Sequence, residues 1–238
     1  MQKITAIIPH PLIAEFESFI RDSGFPCVGA KAALSKGQME ILLARDIRSA
    51  WDDLEIHARI QELVDLYREN PAPFRSLAVI FADDSGLDEV GFERHLWQRL
   101  QSLSDKDDWL GQQQDKRVAH DPNHPEFSVS FGGEAFFIVG LHPQASRPAR
   151  RFMRPVMVFN LHDQFELLRA EDRYEKLRAS IIDRDVKIAG SPNPMLAGHG
   201  EVSAARQYSG RAVESGWECP YRRAGAHPDL DLLDALDN

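Results

Sequence analysis

The run Leu141-His142-Pro143-Gln144-Ala145-Ser146-Arg147-Pro148-Ala149-Arg150-Arg151-Phe152 concentrates more chemistry than any other stretch of this chain. A histidine closes an apolar, strand-like run, and a turn carrying Arg147, Arg150 and Arg151 follows, with Arg154 just beyond. Guanidinium forks match carboxylate and phosphate geometry, so the cluster suggests capture of an anionic ligand. A solvated basic loop paired with nearby acids is the plainer alternative. The next apolar run also ends in a histidine, Val158-Phe159-Asn160-Leu161-His162, followed at once by Asp163-Gln164-Phe165-Glu166. Two strands that each deliver an imidazole to a loop can place both at one metal or haem-iron site. A histidine at a helix start also serves as a cap or packing group, Glu166 is already explained as a capping-box partner, and no H-E-x-x-H spacing occurs.

Cys27 is the third candidate. It lies in Phe25-Pro26-Cys27-Val28-Gly29-Ala30-Lys31, just before a segment that reads as a helical turn. A helix N-terminus and a nearby lysine both favour the thiolate, the form that ligates iron; an inert buried thiol is the alternative. Cys219, in Trp217-Glu218-Cys219-Pro220-Tyr221, has less around it. Towards the C-terminus, Asn193-Pro194-Met195-Leu196 leads to His199-Gly200-Glu201 and then Gln207-Tyr208-Ser209-Gly210-Arg211, a set that suits either a polar pocket wall or a capped surface loop. No P-loop, dinucleotide glycine fingerprint or serine-hydrolase elbow is present. The residues alone therefore point to a histidine- and arginine-rich pocket for a metal or an anionic cofactor.

The elements that must position these groups are legible in the apolar periodicity. Pro11 opens a helix that Ser23-Gly24 stops, and residues 39–44 (MEILLA) read as a short buried strand. A helix from about residue 50 ends at Asn70-Pro71, residues 76–81 (SLAVIF) form a strand, and residues 87–103 form a helix. Residues 104–126 read as a long exposed loop. Strand-like runs follow at 127–131, 135–141 and 155–160, the first two joined by a Gly132-Gly133 hairpin. A long helical segment then carries two expected capping boxes, Asp163/Glu166 and Asp172/Glu175. The expected architecture is one α+β domain over residues 1–221, a mainly antiparallel sheet flanked by helices, with an acidic tail over 222–238.

With 43% hydrophobic and 27% charged residues, the 238-residue chain has the composition of a globular protein with a core. The formal charge of -9 argues against a nucleic-acid partner, and no apolar stretch is long enough to span a bilayer. Two cysteines far apart do not make a secreted disulfide framework, and the N-terminus lacks a signal peptide's pattern, so the expected location is the cytoplasm.

In several ordered blocks the chain resembles the YqcI/YcgG family. These are FPCVGAKAAL, GGEAFFIVGLHPQASRPARRF, VFNLHDQFELLR, NPML-x-x-HG, QYSGR and WECPY. The resemblance implies haem b and an N-oxygenase that uses dioxygen or peroxide to hydroxylate a nitrogen of arginine or a related guanidine or amine. An electron-donor protein is a further implied partner. On that reading Arg147, Arg150 and Arg151 hold the cofactor through its propionates, and Asn160 and Arg211 are further expected cofactor-binding residues. The iron ligand is His142, His162 or Cys27, with His142 preferred because the arginine turn begins there. Glu134 and Glu166 are the expected anchors for a guanidinium, and Gln207 and Tyr208 the expected hydrogen-bonding groups at the reacting oxygen. A non-catalytic haem sensor or carrier, and a non-haem metal- or anion-binding protein built on His142 and His162, are the competing expectations.

Overall fold

The structure, a computed structural model, describes residues 10–84, 86–195 and 201–222. His199, Gly200 and the acidic tail from residue 223 lie outside the described residues. In chain order the elements are α1 (Pro11–Arg21), α2 (Val28–Ser35), β1 (Met39–Ala44), α3 (Asp53–Glu69), β2 (Ser76–Phe81), α4 (Glu89–Trp109), β3 (Val129–Phe131), β4 (Glu134–Leu141), β5 (Val156–Leu161), α5 (Asp163–Ala170), α6 (Tyr174–Ala189) and α7 (Ala205–Tyr208). A 3-10 turn, Pro148–Arg150, interrupts the arginine loop.

The five strands form one sheet in the order β1-β2-β5-β4-β3. Only β1 and β2 run parallel; the other three pairings are antiparallel, and the whole is a single α+β domain. Gly132 and Gly133 close the β3–β4 hairpin with φ of 58° and 83°, the left-handed values that a two-residue turn of matching twist requires. At the other end of the arginine loop, β5 returns beside β4 with Val139 opposite Val158 and Phe137 opposite Asn160.

Because side chains alternate along a strand, this register sorts the chain into two faces. Leu77, Val79, Phe136, Ile138, Phe159 and Leu161 pack with Ile56, Ile60, Phe92, Leu96 and Leu100 of α3 and α4. Gly140 belongs to this face, and a Cβ there would lie 2.7 Å from the Phe92 ring, so only glycine lets α4 come this close. The opposite face presents Ala78, Ile80, Val139, Leu141, Val156 and Val158 to Phe16 and Ile20 of α1 and to α2.

Three local expectations change. The helix expected to end at Leu103 runs on to Trp109, because Asp107 on its last turns is buried, accepting bonds from the Gly132 amide and pairing with His57. The two capping boxes do not form. His162 and Arg173 occupy the cap positions without side-chain capping bonds, Asp163 instead accepts from the Tyr67 hydroxyl and from Arg117, and Glu166 pairs with Arg169. Arg222, expected to open the tail, is still tied to α4 by its amide donating to Gln101. Among the described residues, no helix is long and apolar enough to cross a membrane.

Candidate functional site

Between the second sheet face and α1, α2, α5 and α6 lies a cavity of about 270 Å³. Its walls are mainly apolar, with Phe16, Ile20, Phe74, Val139, Leu141 and Val158 among them. Into it project Cys27, Ser76, Asn160, Gln164, Arg150 and Asp185. A second chamber of about 230 Å³ adjoins it, and Phe137, Phe165, Leu177 and Ile181 line both, forming the partition. His162, Arg169, Tyr174, Arg178 and Gln207 face the second chamber.

Cys27 is the N-cap of α2, and its sulfur accepts from the Ala30 amide at 3.4 Å. The expectation of an activated thiol is reversed. Burial pushes its pKa up, outweighing the Ala30 and Gly29 amides and the nearby Arg150 and Lys31, which pull it down. The sulfur is therefore a thiol until a ligand displaces its proton.

Arg150 lies in the same chamber. Its guanidinium donates to the carbonyls of Gly140 (2.9 Å), Gln207 (3.3 Å) and Tyr208 (3.5 Å), and among the described residues it has no carboxylate partner. Burial lowers its pKa to about 10. Gly210, at φ 84°, makes room for it: a Cβ there would stand 3.2 Å from the Arg150 side chain. A buried cation whose hydrogen bonds all go to carbonyls, with Asp185 acting on it from farther off, retains unspent attraction for an anion.

Two further polar atoms are left without partners. Ser76 Oγ and Gln164 Oε1 are buried with no hydrogen bond among the described residues, each on a residue only 2% exposed. Asn160, opposite Ser76 in the ladder, donates to the carbonyls of Phe137 and Val158. Buried polar atoms are nearly always satisfied, so two orphans in one chamber mark a place for a bound group.

The other candidates scatter. His142 faces away from both chambers: it stacks on Phe92 at 4.4 Å, is 1% exposed, and burial lowers its pKa to about 4. His142, the preferred iron ligand, sits on the solid face of the sheet and His162 on the other, so the two imidazoles do not share a chamber, and His142 borders neither. Arg147 is neutralised by Asp185 and also donates to the Ser191 carbonyl, locking the arginine loop to α6. Arg151 turns outward to the carbonyls of Ala145 and Ser146. Arg211 pairs with Glu93 on α4. Glu134 is bound by Arg68 and Arg117 beside the hairpin, and Glu166 is an exposed partner of Arg169, so neither carboxylate reaches the two chambers. Gln207 lines the second chamber, whereas Tyr208 is sealed in the core. Its hydroxyl donates to the Phe136 carbonyl and accepts from the Val129 amide, and burial raises its pKa.

Sequence reasoning missed Ser76, Gln164 and Arg178. Ser76 left a trace, a polar residue opening a strand that is otherwise wholly apolar. Gln164 and Arg178 sit on helices whose surroundings only tertiary packing defines.

Fold and site define a class: an α+β domain with a divided, largely apolar chamber against one face of a mixed sheet. The chain belongs to the YqcI/YcgG family, whose sequence profile matches residues 16–222. No curated protein and no solved structure matches it.

Proposed function

We propose that this protein is a haem-dependent oxygenase that hydroxylates a nitrogen of a guanidine or amine compound, with the porphyrin against the first chamber and Cys27 as iron ligand. The observation that carries this reading is the pairing, in one apolar chamber, of a thiol at a helix N-terminus with a buried arginine that has no carboxylate partner among the described residues. Both donors suit the group: a thiol becomes a thiolate ligand by losing its proton to solvent, and a guanidinium receives a propionate. The orphaned Ser76 and Gln164 atoms add unused hydrogen-bonding capacity. Each chamber alone is smaller than the roughly 300–1,000 Å³ typical of ligand sites, so accommodation requires the Phe137, Phe165, Leu177 and Ile181 partition to yield.

Haem bound there would supply the activation of dioxygen or peroxide. The chain's own contributions are separate. The Ala30 amide stabilises negative charge on the Cys27 sulfur, and the nearby Arg150 charge acts in the same direction. The phenylalanine and aliphatic walls exclude water, which strengthens each polar contact within them. Ser76, Asn160 and Gln164 orient the bound group by hydrogen bonds.

Protein expressed with a haem precursor should purify red, with a Soret band, and consume oxygen or peroxide in the presence of substrate. Its ferrous-CO band should lie far to the red of a histidine-ligated haem, and Cys27→Ala should remove that feature. Colourless protein that takes up no hemin refutes the reading. A Soret band without substrate-dependent turnover leaves a haem carrier, and an unshifted CO spectrum moves the ligand to His162.

A further inference from the structure

The second chamber has its own chemistry. Its walls are aromatic and aliphatic: Phe127, Phe137, Phe165 and Tyr174, with Leu177, Ile181 and Ile182 from α6. Its ionisable lining groups are Glu126, His162, Arg169, Tyr174 and Arg178. Arg169 is already engaged, paired with Glu166 and lying 4.3 Å from the Tyr174 ring centre. Glu126 is exposed and also borders a small neighbouring pocket that Arg117 lines.

Arg178 differs from these. It is half-buried on α6, yet its guanidinium makes no hydrogen bond or ion pair with any described residue. The other arginine of this chamber is matched, Arg169 by Glu166, and nearby Arg117 is held by Asp115, Glu134 and Asp163. An unmatched fork at the wall of an apolar chamber is the arrangement that receives a carboxylate in two parallel hydrogen bonds. We propose that the second chamber is a binding site for a small monocarboxylic acid, its acid group on Arg178 and its apolar body between Phe137, Phe165 and Ile182. The site is formed in the haem-free protein: Phe137 and Phe165 also belong to the partition that haem would displace in the proposed function, whereas Arg178 and Ile182 line the second chamber alone.

The test uses the full-length protein, freed of any haem, and two probes of the same shape: 3-phenylpropionate and its neutral amide. Isothermal titration calorimetry should show the acid binding at least about ten-fold tighter than the amide, the preference expected of a charge-assisted bidentate contact. Arg178→Gln should abolish this preference while leaving the far-UV circular dichroism unchanged, and Arg178→Lys should restore part of it. Arg21→Gln, an exposed ion-pair residue on α1, should have no effect. Equal binding of acid and amide, no binding of either, or an unchanged preference in Arg178→Gln would each overturn the proposal. None of those results bears on haem uptake through Cys27, which is read separately by absorption.

Discussion

On one side of the sheet, Phe136, Ile138 and Phe159 are wholly buried against α3 and α4, and even the backbone approaches closely at Gly140. On the other, residues of the same strands one position away, Phe137 and Val139, are half-buried and line an open space. The solid face holds its buried charges in closed pairs, Asp53 with Arg99 and Glu93 with Arg211. The hollow face leaves Arg150, Ser76 and Gln164 without full satisfaction. Trp97 Nε1 and His142 Nδ1 on the solid face also lack partners among the described residues, but they lie in dense packing outside both chambers, whereas the hollow face has space beside its unpaired atoms for a further group. One sheet therefore separates a dense face from a hollow one by the alternation of its side chains.

The largest expected effect tests that separation directly. Phe159→Ala should cost roughly 3–5 kcal/mol, because the dense face cannot collapse around the void. Phe137→Ala, on the neighbouring strand but facing the chambers, should cost less than about 2 kcal/mol, since its ring already lacks neighbours on one side. Urea unfolding of the two variants measures the difference. Equal losses would remove the distinction between the faces.

The second effect concerns His142, which belongs to the solid face. Its folded pKa of about 4 lies below the ordinary 6.5, so between these values the unfolded chain binds a proton that the folded protein refuses. Stability is thus full above pH 6.5 and falls as the pH drops towards 4, by on the order of 3 kcal/mol for this residue. His142→Phe keeps a ring on Phe92 and should flatten that part of the profile. Urea midpoints at neutral and acid pH for both proteins give the answer, and parallel profiles would show that the imidazole is not held neutral.

The smallest effect is on the hollow face. Ser76→Ala removes a buried hydroxyl that has no partner, so the ligand-free protein should gain up to about 1 kcal/mol in thermal or urea unfolding, while haem retention falls. A loss of stability would mean that the hydroxyl is satisfied in solution and the chamber less poised for a ligand.

Local pattern alone determined most of the elements. The apolar runs MEILLA and SLAVIF are strands with the expected ends, and Gly132-Gly133 makes the expected hairpin, because period-two hydrophobicity and left-handed turn residues act over a few neighbours. The segments FPC, HPQASRPARR and NLHDQF were also legible as the chemically unusual ones. What they do was decided by the tertiary structure. Strand register placed His142 on Phe92 and Asn160 in the chamber, and a distant helix supplied Asp185 to neutralise Arg147 while leaving Arg150 with carbonyls alone. Whether a charged side chain is spent or available depends on partners dozens of residues away, and a linear pattern carries no record of them.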